Sequence, residues 1–98
     1  PNFIVWDCGS HVKSVADVSS ACIVSEGEDY EDFAFLSFAC WWSGIDGEMT
    51  VEPQHTIVFR YEKDTDEYYM PSSKFGSVVT SNIEELEYLR AAAHEHSD

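Results

Sequence analysis

With 98 residues, 44% hydrophobic composition and 14% aromatic side chains, the chain is long enough to bury one core and too short for two, so it reads as one small domain over 1–98. Its 19 Asp and Glu against 5 Lys and Arg give a net charge of −14, and five scattered cations do not neutralise a phosphate backbone, which argues against direct nucleic-acid binding. The acids alternate with apolar stretches at 33–36 and 56–59, which separates the chain from acidic, weakly hydrophobic sequences that stay disordered.

The first element expected is a short strand at Phe3, Ile4, Val5 and Trp6, ended by the turn-forming Asp7, Cys8, Gly9 and Ser10. The stretch 10–20 fits two patterns: Val12, Val15, Ala16 and Ser19 make a helical stripe, whereas Val12, Ser14, Ala16 and Val18 alternate as in a strand, and β-branched content leans to the latter. Residues 21–25 read as strand. The segment 26–32 holds five acids, broken by Gly27 and Tyr30, and leads into an aromatic run that stops at Ser43 and Gly44. Acids before and glycine after suit a helix, but large apolar side chains would then point all round it. A strand buried on both faces is preferred, with Phe33, Phe35 and Trp41 against Phe38 and Trp42, and a central helix is the alternative.

Beyond Glu48 the strand signal is firmer: 49–52, 55–62 and 67–70, with Lys63, Asp64, Thr65 and Asp66 as a polar hairpin connection. Pro71 breaks the last of these, and 74–80 offers one more strand. Ser81 and Glu84 have capping-box spacing, and Ile83, Leu86 and Leu89 form an apolar stripe. Together they predict a helix over 82–93 followed by a frayed tail at 94–98. The expected fold is therefore α+β, an antiparallel sheet packed against a C-terminal helix.

Most chemical candidates have a plain alternative. Cys8, Cys22 and Cys40 are odd in number and widely spaced, without the Cys-x-x-Cys pair of a zinc or redox motif, which fits a reduced, cytoplasmic setting. No apolar run reaches the roughly 18–20 residues needed to cross a bilayer, and no leader-like start is seen, so no membrane association is expected. His94 and His96 lie two apart on a helix, where side chains diverge, so a solvated tail is expected in place of a metal site. The acidic run 26–32 lacks the alternation and closing bidentate Glu of a calcium loop. Cys8 and His11 have no third partner and no serine sits in a nucleophile elbow, so neither catalysis nor a cofactor is expected.

The acids remain. A partner surface is expected from Glu26, Glu28, Asp29, Glu31 and Asp32, joined by Asp46, Glu48, Asp64, Asp66 and Glu67, with Tyr30 and Trp42 as aromatic anchors. Trp41, Tyr68 and Tyr69 are further aromatic candidates, for which core packing is the plain reading. A globular domain of this length spans about 33 Å. Fourteen net charges over it give roughly one per 2–2.5 Å, against about 1.7 Å per charge along duplex DNA.

In size, acidity and aromatic content the chain is similar to the small acidic inhibitors of phages and bacteria. These include immunity proteins that neutralise nuclease toxins, and anti-restriction or anti-CRISPR proteins that block DNA-binding machinery. The resemblance is one of composition across the whole chain and assigns no residue a role. It implies an inhibitor that occludes the basic surface of a nuclease or nucleic-acid-binding effector. A small structural or accessory subunit whose acidity serves solubility, and a small enzyme with an unrecognised site, are the other readings.

Overall fold

The computed structural model describes residues 2–7, 11–72 and 82–97. Its elements are β1 (Phe3–Asp7), β2 (Val12–Glu26), β3 (Tyr30–Trp42), β4 (Met49–Val51), β5 (His55–Glu62), β6 (Glu67–Tyr69) and α1 (Ile83–His96). The strands form one antiparallel sheet in the order β1-β2-β3-β5-β6, with β4 also paired to β3, and α1 packs on one face, giving the expected α+β architecture.

The aromatic run after the acids is the central strand. Along β3, Phe33 and Phe35 turn toward the helix and are 0% and 1% exposed, while Ala34 on the opposite face is also buried. A helix would have had to bury both sets of side chains round its whole circumference. A strand needs only to separate them by alternation. Phe59 of β5 completes the aromatic layer, with ring centroids 6.1–6.3 Å from Phe35 and Phe33.

The strand pattern of 10–20, not the helical one, is adopted. β2 is one strand, but its inward residues are Ser14, Ala16 and Val18 before the irregularity and Ala21 after it, so the alternation changes phase. The register against β3 slips between Asp17 and Cys22, and again between Ile23 and Ser25. Local side chains replace the interrupted ladder. Asp17 Oδ1 accepts from the Ser19 amide at 3.0 Å and hydroxyl at 2.7 Å, and the Ser20 hydroxyl donates to the Asp17 carbonyl at 2.7 Å while accepting from the Leu36 amide at 2.8 Å.

β4 and β5 lie one after the other along the same side of β3. A register change separates them at 52–54, where Pro53 has no N–H to offer a ladder.

Helix α1 buries Leu86, Leu89, Ala92 and Ala93, the stripe begun by the expected apolar positions and finished by alanines. It extends to His96, so 94–96 are not frayed. The Ser97 hydroxyl donates to the Ala93 carbonyl at 2.7 Å, and His96 Nδ1 lies 2.8 Å from the Ala21 carbonyl, which ties the helix end to β2. At its start, Asn82 occupies the cap position without a side-chain capping bond. Ser81, the expected cap, and the strand expected at 74–80 lie outside the described residues.

Candidate functional site

The acids proposed as one surface occupy two ends of the molecule. At one end the β2–β3 turn, with Glu26, Glu28 and Asp29, lies beside the β5–β6 turn, with Asp64, Asp66 and Glu67. Register pairing of Tyr30 with Glu62 and a 2.9 Å bond from the Lys63 amide to the Asp29 carbonyl hold the two tips together. Lys63 is the cation at this end, its Nζ 3.4 Å from the Gly27 carbonyl. At the other end of β3, Trp42 leads into the turn that carries Asp46 and Glu48. Twelve steps of about 3.3 Å separate Tyr30 from Trp42, roughly 40 Å, in a molecule measuring 50 × 30 × 20 Å.

Within the first cluster, position on the strand divides exposed from buried acids. Glu26, Glu28, Asp29, Asp64, Asp66 and Glu67 are exposed. Glu31 and Asp32, grouped with them as surface carboxylates, are only 5% and 8% exposed. They belong to the pleat of β3, so Glu31 faces the helix and Asp32 the opposite side, and each is met by an arginine. Arg60 forms a two-pronged pair with Asp32 at 2.7 and 2.9 Å and lies 4.3 Å above the Tyr30 ring. On the other face, Arg90 Nε donates to Glu31 Oε1 at 2.6 Å, and the guanidinium sits 3.7 Å over the Tyr61 ring. His94 Nε2 approaches the Glu31 carboxylate at 3.0 Å, so this histidine is part of a helix-to-sheet contact and not of a solvated tail. Burial pushes the Glu31 carboxyl up, but the hydrogen bonds and charges of Arg90 and His94 outweigh it and hold the group below its ordinary value of 4.5.

The hydroxyls of Tyr61 and Tyr69 donate to Asp66 and Glu62, and these anionic acceptors push both phenols up. Tyr68 is a core residue, its ring edge-on to Phe33 at 6.1 Å. Tyr30 packs against Gly27 so closely that a Cβ there would lie 2.6 Å from its ring, so any larger residue would displace the ring. At the far end the Glu48 amide donates to Asp46 at 3.1 Å and holds that carboxyl below the ordinary range. Trp41 is half-buried on the helix side, whereas Trp42 is 58% exposed on the other.

The basic residues are largely consumed within the fold. Among the described residues, Lys13 pairs with Asp7, Arg60 with Asp32 and Arg90 with Glu31. The described residues carry the same net −14 as the whole chain, because Lys74 and Asp98 outside them cancel. Along the 50 Å axis this is about one net charge per 3.6 Å, close to the roughly 3.4 Å of a single nucleic-acid strand and sparser than the duplex spacing of about 1.7 Å. The elongated shape revises the spacing expected from a compact sphere.

The sequence reading missed the helix-free side of the sheet. Register places Phe3, Val5, Phe38, Met49 and Val51 on the same face as Trp42, and Phe3, Val5, Met49 and Val51 are each about half exposed. Alternation within β1 was visible, but which face lacks a cover depends on where the helix docks. Among the described residues no group of three metal-ligating side chains converges, no buried side-chain polar atom lacks a partner, and no helix is long and apolar enough to cross a membrane. The chain matches no protein-family model, no curated protein and no solved structure.

Proposed function

We propose that this chain is an acidic protein-binding inhibitor, of the kind found among anti-restriction, anti-CRISPR and immunity proteins, that occludes the basic nucleic-acid-contacting surface of a nuclease or other effector. The observation that carries the reading is the division of charge. Lys13, Arg60 and Arg90 are matched within the fold, while Glu26, Glu28, Asp29, Asp46, Glu48, Asp64 and Glu67 lie exposed with no ion-pair partner among the described residues. A surface of this kind attracts cationic proteins over distances of a Debye length and repels its own copies and nucleic acid.

The elongated array of carboxylates suits the binding channel of a single strand better than that of a duplex, since its mean spacing is near that of one phosphodiester chain. Short-range contacts come from aromatic and apolar groups, of which exposed Trp42 is the foremost. The reading is tested by capturing the partner from the native host and measuring association rates between low and high salt. The rate should fall steeply as the screening length shortens to about 8 Å at 0.15 M. A partner without a basic surface, or a rate independent of salt, contradicts the proposal.

A further inference from the structure

The helix-free face of the sheet has a composition that the acidic-surface reading alone does not explain. Val5, Val15 and Phe38 lie abreast on β1, β2 and β3, and Trp42 with Met49 and Cys40 with Val51 continue the row onto β4. The exposed members are Phe3 at 51%, Val5 at 56%, Trp42 at 58%, Met49 at 49% and Val51 at 56%. They form one apolar tract on a single face, the arrangement that marks an interaction surface in a chain otherwise rich in carboxylates.

Charge selects the occupant: the face belongs to a molecule of net −14. Asp17 lies on this face opposite Phe3 and Leu36, without an ion-pair partner among the described residues, while Glu48 and Glu52 flank β4 in the chain and alternate away from Met49 and Val51. The cations of this face are already taken, Lys13 by Asp7 and Arg60 by Asp32. A second copy would bring another −14 against this face, where the described cations Lys13 and Arg60 are already paired.

We infer that the helix-free sheet face is the docking surface for a basic partner protein, which sets an apolar strip on Phe3, Val5, Phe38, Trp42, Met49 and Val51 and a flanking Lys or Arg on Asp17, within the field of the surrounding net negative charge. This rests on the proposal that the partner is basic, and it moves the centre of contact from the acidic hairpin tips to the sheet face. The tips then act in long-range attraction and the face in short-range recognition.

The test uses strand-length peptides as probes, one alternating Lys with Leu, one Lys with Ser and one Glu with Leu, each titrated into the full chain and followed through its backbone amide NMR signals. The Lys-Leu peptide should shift signals of β1, β3 and β4 and bind about tenfold more tightly than either control. The double variant Trp42→Ser and Val51→Ser alters two exposed side chains, should keep its fold by the same spectra, and should lose about tenfold in affinity for the Lys-Leu peptide. Shifts centred on 26–29 and 63–67, with the double variant binding as the wild type does, would overturn the sheet face and leave a basic partner standing. Failure of both basic peptides to bind would overturn the two readings together. Sedimentation supplies a further check: a monomer is expected, and a dimer abolished by the double variant would assign the face to a second copy and overturn the inference.

Discussion

Glu31 and Asp32 are adjacent carboxylates that face opposite sides of one strand, and each is neutralised by an arginine from a different element. In the sequence they are indistinguishable from Glu28 and Asp29, because what separates them is the start of β3 at Tyr30, after which residues 31–35 are buried on alternating faces. Their role is structural. Removing Arg90 leaves Glu31 buried without its strongest partner, so Arg90→Ala should destabilise the domain by on the order of 3 kcal/mol, measured by urea unfolding. Protonation follows a definite sign. Glu31 is held below 4.5 in the folded state, so its contribution to stability is complete above that pH and is lost as pH falls through the depressed value. The stability gap between wild type and Glu31→Gln should be constant near neutrality and should close on acidification below 4.5, and a gap that widened there would contradict the assignment.

Helix α1 and strand β3 were legible in the sequence to different degrees, and packing explains the difference. Leu86 and Leu89 lie on a stripe of helical period and are both 0% exposed, so pattern and burial coincide. Leu86→Ala should cost about 2 to 5 kcal/mol through the void it leaves, read as a lowered urea midpoint. The end of the helix was harder to place, because His94 and His96 resemble a solvated tail until Glu31 and the Ala21 carbonyl are brought beside them. Substituting both histidines should loosen the last turn, seen as faster amide exchange over 94–97, with only a small change in global stability. In β2 the alternation of Val12, Ser14, Ala16 and Val18 is the one adopted, and the phase change that follows before Ala21, with the Asp17, Ser19 and Ser20 bonds that permit it, is invisible without the partner strand. The apolar outer face was hidden for the same reason: apart from Trp42 its residues are unremarkable along the chain, and they become a tract only in register.

At the scale of the whole molecule, the fold turns a uniform excess of acid into a directed arrangement. Arginines are drawn into the sheet and helix contacts, carboxylates are left at both ends of β3, and an apolar face extends toward its Trp42 end. Neutralising Glu26, Glu28 and Asp29 together to Gln and Asn should slow association with the partner while leaving stability nearly unchanged, since these exposed groups make no ion pairs among the described residues. Stopped-flow binding beside thermal unfolding would check both parts. The central claim is occlusion, and it is tested most directly by titrating the protein into a preformed complex of its partner with a labelled single-stranded nucleic acid, then reversing the order of addition, with fluorescence anisotropy as the readout. Carboxylates engaging the Lys and Arg that hold phosphates should displace the strand completely, to the same end point from either direction. A stable ternary complex in which the strand keeps its full affinity would contradict the account.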